Sequence, residues 1–171
     1  MIKSTNNSIN KIRTITYYQF SKKNQYKIYI GNDHAGLEYK NIILENLKEQ
    51  QYNIINKGTN TKQSCDYNEI AIDLCQDVFR NKGLGILICG SGVGMSIMAN
   101  KIKGIRCGQI NDYYSAKQAA QIGCNVIALG SRIVGIEMAK QIIQTYLNSI
   151  QNKHMDINEI ISQFELDNFI K

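Results

Sequence analysis

From Lys27 onward the chain alternates between short apolar runs and longer stretches in which apolar residues recur every three or four positions. The first pattern is that of buried strands and the second that of amphipathic helices. Lys27 to Gly31 (KIYIG) reads as a strand, followed by a helix from about Leu37 to Gln50 with Leu37, Ile43, Leu44 and Leu47 among its apolar positions. Tyr52 to Asn56 reads as the second strand, and Asn68 to Arg80 carries Ile70, Ala71, Leu74, Val78 and Phe79 at helical spacing. Gly85 to Cys89 returns to a buried strand, and a helix is predicted over roughly Gly94 to Lys103. A strand at Ile105 to Ile110, a helix at Ser115 to Gln121 and a strand at Asn125 to Leu129 follow. Two helices close the chain, about Gly135 to Ser149 and Ile157 to Phe169. Such repetition predicts an α/β fold: a three-layer α-β-α, Rossmann-like arrangement with a doubly wound, parallel five-stranded sheet. Ligands of such sheets bind beyond the carboxyl ends of the strands, where Asp33-His34, the loop at Gly58 and Cys89-Gly90 all fall.

At 171 residues and 43% hydrophobic content, the chain suits one compact domain over 27–171, ending in a helical tail. No apolar run approaches the ~20 residues of a membrane span, so no membrane partner is expected. The formal charge of +6 invites a nucleic-acid reading until it is located. Residues 1–26 hold Lys3, Lys11, Arg13, Lys22 and Lys23 with no acidic side chain, and the remainder, with 15 basic and 14 acidic residues, is nearly neutral. With neither a basic stripe nor interleaved aromatics on the folded part, nucleic acid is set aside. The basic leader fits two descriptions, an organellar transit peptide or a disordered extension, and it lacks the apolar core of a secretory signal. Cytoplasmic residence is expected, with an organelle as the alternative if 1–26 is a transit peptide. Cys65, Cys75, Cys89, Cys107 and Cys124 are widely spaced, with no C-x-x-C pair and too few histidines to complete a zinc site. An odd count without a framework suggests a reducing compartment, and Cys75, Cys107 and Cys124 read as small buried hydrophobes.

Cys89 differs, because it ends an apolar run and opens into Gly90-Ser91-Gly92-Val93-Gly94-Met95-Ser96. A thiol where a strand meets a Gly-rich turn and the first turn of a helix lies beside free backbone N–H groups that favour negative charge. A thiolate stabilised there can act as base or nucleophile, beside donors for an anionic oxygen. Other readings fail on spacing. The glycines fall at alternate positions rather than as G-x-G-x-x-G, no Gly-Lys-Ser/Thr follows, and no second cysteine is near enough for a redox pair.

The stretch Gly85 to Gly108 (GILICGSGVGMSIMANKIKGIRCG) resembles the active-site segment of the ribose-5-phosphate isomerase B family, which also includes the galactose-6-phosphate isomerase subunits. Three further blocks are similar in the same order: Gly31 to Gly36, then Gly58-Thr59 with Asp66-Tyr67, then Asn125 to Arg132. The likeness runs from about Lys27 to about Leu166. It implies an aldose–ketose isomerase that moves a proton between neighbouring carbons through an enediolate, in the pentose phosphate pathway, with no metal or organic cofactor. Cys89 takes the place of the family's base, since the glutamate that some members use stands where this chain has Met95. Ser91 could relay a proton, and the backbone N–H groups around Gly90, Ser91, Gly92 and Gly94 could hold the oxyanion. Taken alone, Asp33 and His34 would more often be a helix cap and a surface histidine; the resemblance gives them sugar hydroxyls and phosphate. It likewise makes Tyr67 and Asn100 substrate contacts and Arg132 a phosphate ligand, a role that suits the planar guanidinium. A partner subunit is implied to complete each cleft of a homodimer through an Arg-His-x-x-Arg segment, which here reads Lys153-His154-Met155-Asp156-Ile157. Lys153 keeps one charge of that cradle and Ile157 has lost the other.

A second departure concerns ring opening. Family enzymes carry a His-Asn pair before the last strand, whereas Ala119 to Asn125 is one residue short and the pair falls on Gln121-Ile122 or Ile122-Gly123. The chain's only histidines, His34 and His154, lie elsewhere. A missing acid–base group typically costs ~10²–10⁴ in rate. Three expectations follow: a ribose-5-phosphate isomerase, an isomerase of a six-carbon aldose phosphate, or a catalytically weak relative with a regulatory or interaction role.

Overall fold

A computed structural model describes residues 26–150. The leader before Tyr26, the final predicted helix, Lys153 and His154 lie outside the described residues. Within them the order is β1 (Ile28–Asn32), a 3₁₀ turn (His34–Gly36), α1 (Leu37–Glu49), β2 (Ile54–Asn56), α2 (Tyr67–Asn81), β3 (Leu84–Cys89), α3 (Val93–Ala99), β4 (Cys107–Gln109), α4 (Tyr113–Gln121), β5 (Val126–Gly130) and α5 (Ile136–Ile150). All strand pairs are parallel, in the order β2-β1-β3-β5-β4. The chain runs outward from β1 to β2, then reverses to the other side through β3, so the switch point lies between β1 and β3.

Strand residues alternate between two cores. Ile28, Ile30, Ile86, Ile88, Ile127 and Leu129 face α1, α4 and α5, whose Ile43, Leu47, Ala116, Ala120, Ile142, Ile143 and Tyr146 cover them. Tyr29, Leu87, Cys89, Val126 and Ala128 face α2 and α3, which contribute Ala71, Leu74, Cys75, Val78, Met95 and Ala99. The three central strands are therefore buried on both sides, as their unbroken apolar runs require. Each fully buried Ile or Leu contributes roughly 1.5–3 kcal/mol through water-excluded area. Tyr146 is wholly buried, and its hydroxyl donates to the Cys124 carbonyl at 2.9 Å, so its polar end is satisfied.

Helix boundaries follow their caps. Asp66 begins α2 by accepting from Asn68 N–H at 2.8 Å, and Asp112 begins α4 two residues earlier than periodicity predicts by accepting from Ser115 N–H at 2.8 Å. The Ser115 N–H and then the Ser115 hydroxyl, both donating to it, hold the Asp112 carboxyl below the usual carboxylate range. Three predicted elements are shorter than expected. β2 starts at Ile54 because Gln51 takes a left-handed φ of 64° and Tyr52 N–H closes the α1 terminus on the Leu47 carbonyl, which sends the Tyr52 ring into the core. α3 stops at Ala99 because Asn100 folds back on the Ser96 carbonyl and three tight turns follow. Ile105 belongs to those turns, so β4 begins at Cys107.

Candidate active site

The site is built on the carboxyl ends of β1, β3 and β5, the three central strands. Register sets Asn32 opposite Ile88 and Cys89 opposite Gly130, so Asp33, Cys89 and Ser131 leave the sheet side by side. Asp33 N–H donates to the Ile88 carbonyl at 3.2 Å. Ser131 ties the three ends together: its N–H donates to the Cys89 carbonyl at 2.8 Å, and its hydroxyl lies 2.9 Å from the Ala35 carbonyl and 3.1 Å from that of Cys89.

Cys89 is 6% exposed, at the last position of β3. Its Sγ accepts the Gly92 N–H at 3.0 Å. That geometry needs the chain to double back within three residues, which Gly92 permits with φ +81°, a region that L side chains rarely adopt. Ser91 Oγ accepts from Val93 N–H at 3.3 Å and so caps the same turn. Gly130 lies directly under this turn: a methyl group there would sit 2.7 Å from both the carbonyl carbon and oxygen of Ser91.

Two predicted binding residues converge on the turn. A methyl group at Gly94 would lie 2.9 Å from the Tyr67 ring, so Tyr67, the first residue of α2, spans the gap to α3 while the residue stays 38% exposed. One at Gly90 would lie 3.5 Å from the Arg132 guanidinium. Arg132 is anchored by its N–H on the Gly90 carbonyl at 3.0 Å, and its exposed side chain forms no ion pair among the described residues. The guanidinium thus lies against the Gly90 end of the turn.

Asp33 and His34 stand on the β1 side of the switch point. Asp33 Oδ1 caps the 3₁₀ turn by accepting from Ala35 N–H at 2.9 Å and Gly36 N–H at 3.1 Å. The capping role considered for this residue is therefore present, and its second oxygen makes no hydrogen bond among the described residues. His34 Nδ1 is buried without a hydrogen-bond partner among them. Asn100 is differently employed. Its Oδ1 accepts from Cys107 N–H at 2.8 Å, while its Nδ2 donates to the carbonyls of Cys107 at 2.8 Å and Ser96 at 3.0 Å. Both amide protons are used to fasten β4 to the end of α3.

The segment expected to hold the ring-opening pair does not join this cluster. Gln121 ends α4, and Ile122 and Gly123 lead from it towards β5, at the amino edge of the sheet, opposite the edge that carries Cys89. Gly123 there helps line a cavity of about 470 Å³ with Phe79, Arg106, Asn125, Tyr26 and Ile150. Among the described residues, no group of three or more His, Cys, Asp or Glu side chains could hold a metal ion.

One residue near the thiol escaped the sequence reading. Gln109, the last residue of edge strand β4, donates through Nε2 to the Ser91 carbonyl at 3.2 Å and to Asn111 Oδ1 at 2.9 Å. The only signal for it is a polar residue between Gly108 and Ile110, in a half-buried edge strand.

The likeness to known proteins extends over most of the chain. Residues 28–162 match the family model described as Ribose/Galactose Isomerase. The chain is 42% identical over 125 residues to ribose-5-phosphate isomerase B of Escherichia coli, covering 72% of this chain and 84% of that one. It is 35% identical over 136 residues to galactose-6-phosphate isomerase subunit LacB of Clostridium acetobutylicum, covering 78% and 79%. The structure of ribose-5-phosphate isomerase B from Mycoplasma genitalium with bound ribulose 5-phosphate superposes with a TM-score of 0.79 at 33% identity, over 85% of this chain and 99% of that one. The chain belongs to the Ribose/Galactose Isomerase family of sugar-phosphate isomerases.

Proposed function

We propose that the protein interconverts ribose 5-phosphate and ribulose 5-phosphate through an enediolate, with Cys89 as the general base. The observation that carries this reading is the Cys89 thiol accepting the Gly92 N–H in a turn whose Gly90 lies against the Arg132 guanidinium, a cation with no ion pair among the described residues. In the forward direction the thiolate removes the C2 proton of the open-chain aldose, and the C1 carbonyl oxygen becomes the enediolate oxyanion. A proton moves from O2 to O1, with Ser91 Oγ as relay, and the Cys89 thiol returns its proton to C1. This leaves the ketone at C2 and regenerates the thiolate, so atoms balance without a redox partner. Because Gly92 N–H already faces the sulfur, the oxyanion is assigned to the N–H groups of Gly90, Ser91 and Gly94. Such donors are each worth typically ~10²–10³ in rate.

In this reading Arg132 and His34 hold the phosphate, Asp33 Oδ2 accepts from a sugar hydroxyl, and Tyr67 closes the cleft over Gly94. Asn100 acts by fixing β4, since both its amide protons are spent. The working unit is a homodimer with Lys153 of the tail completing the phosphate cradle of a second copy. One feature favours this. Val93 and Ile97 expose an apolar face of α3, the helix that follows the Cys89 turn, 48% and 56% exposed. A six-carbon aldose phosphate is the second reading, favoured by the likeness to the galactose-6-phosphate isomerase subunit.

Steady-state assays with ribose 5-phosphate and galactose 6-phosphate separate the two. A kcat/KM at least ~10-fold higher for the pentose supports the first; the reverse order replaces it with the second. No turnover of either moves the protein to the non-catalytic role.

A further inference from the structure

The hydrogen bond from Gly92 N–H to Cys89 Sγ and the one from Gln109 Nε2 to the Ser91 carbonyl involve the two ends of a single peptide unit. In a trans peptide the C=O and N–H point in opposite directions, so a donor that fixes the oxygen also fixes the direction of the hydrogen. The Ser91–Gly92 unit needs such a restraint, because Gly92 sits at φ +81° and glycine pivots readily there. On the far side the unit rests on Gly130, and on the near side a methyl at Gly92 would meet Gln109 Cγ at 3.2 Å. Gln109 is itself held, since its second amide proton goes to Asn111 Oδ1, and the strand that carries it is fastened by Asn100.

We propose that Gln109 is a positioning residue that clamps the Ser91–Gly92 peptide so that its N–H stays aimed at the Cys89 sulfur, favouring the reactive thiolate. Donation to the carbonyl also polarises the peptide and strengthens the N–H as a donor. The inference rests on the reading of Cys89 as the base, and its test has one arm that does not depend on turnover.

That arm is the rate of Cys89 alkylation by iodoacetamide in the folded protein at pH 7, followed by mass spectrometry of the peptide carrying Cys89, in wild type and Gln109→Met. Methionine keeps the length and neutrality of glutamine and removes the donor. Gln109→Ala serves as a second variant, with thermal melting to verify folding in both. A misaimed N–H weakens the hydrogen bond that the sulfur accepts, so alkylation is expected to slow by up to about 10-fold. Mere loosening of the turn would act in the opposite sense, by exposing a sulfur that is now 6% exposed. Slower alkylation together with a ~10-fold lower kcat and KM within about twofold supports the clamp. Unchanged or faster alkylation overturns it. Slower alkylation with unchanged kcat keeps the clamp on the thiol and overturns the assignment of Cys89 as the base.

Discussion

Replacing Gly130 by alanine tests whether the Gly-rich turn is held in a catalytically required position by the end of β5. The added methyl would lie 2.7 Å from the Ser91 carbonyl carbon and oxygen and 2.7 Å from Ile133 Cγ1. Ordinary van der Waals contact begins at 3.4 Å, so the Ser91 peptide must retreat by the difference of 0.7 Å, or β5 must yield by as much. β5 is a central strand hydrogen-bonded to β3 and β4, so the turn is the softer element. The displaced unit is the one whose N–H meets Cys89 Sγ. Overpacking of this kind typically costs 1–3 kcal/mol of stability, and a ~1 Å misplacement of reacting groups costs ~10²-fold in rate. A shift of this size is therefore expected to lower kcat by roughly 10- to 100-fold and stability by about 1–3 kcal/mol. Steady-state isomerisation and urea unfolding, run on the same preparation, measure both. A Gly130→Ala protein with kcat within twofold of wild type would refute the argument that the packing of this turn sets the chemistry.

Other perturbations read separate parts of the account. Arg132→Ala is expected to raise KM for the sugar phosphate ~10- to 100-fold while kcat changes little, because the proposed phosphate role has the guanidinium donating charge-assisted hydrogen bonds to a group remote from the reacting carbons; an unchanged KM in initial-rate assays would remove Arg132 from the proposed phosphate site. Lys57 lies 2.6 Å from Asp77 and 3.1 Å from Asp73, and its hydrogen bonds to Asp77 and then Asp73 raise its pKa above 10.5. Since the folded value exceeds the unfolded one, this stabilisation is fully present below pH 10.5 and lost as pH rises through the raised value. Lys57→Met should cost about 0.5–1 kcal/mol at pH 7, with the deficit shrinking above pH 10.5, and a urea-melt deficit that is flat with pH would contradict the pairing. Burial pushes the Cys75 thiol up to about 12 and raises Cys107 further still, with smaller contributions from its Cys75 and Cys124 neighbours. Both should resist iodoacetamide for hours at pH 8 in the folded protein and react promptly in urea. Equal native and denatured rates by mass spectrometry would show that these thiols are not enclosed.

The sheet was legible because buried parallel strands announce themselves as apolar runs, and KIYIG and GILIC lie within or at the edge of β1 and β3. Boundaries set by side-chain hydrogen bonds were not. Nothing in hydrophobic periodicity says that Asn100 folds back on Ser96, that Tyr52 serves the core rather than a strand, or that Asp112 starts its helix two residues early. Part of the site was legible for a different reason: a thiol, alternating glycines and a strand end carry their chemistry locally. Gln109 was invisible because its contact with Ser91 spans 18 residues and depends on β4 lying next to β5. The Lys57–Asp73–Asp77 cluster escaped for the same reason, since it joins the end of β2 to α2 across the sheet.

The central claim is that a thiol held by the Ser91–Gly92 peptide moves the proton of a phosphorylated aldose. Its most direct test is the steady-state conversion of ribose 5-phosphate to ribulose 5-phosphate by purified wild type and Cys89→Ala, with Cys75→Ala as a control for loss of a buried thiol. The account predicts turnover in wild type, a loss of at least ~10²-fold in Cys89→Ala, and retention of most activity in Cys75→Ala. Equal turnover in wild type and Cys89→Ala would contradict it.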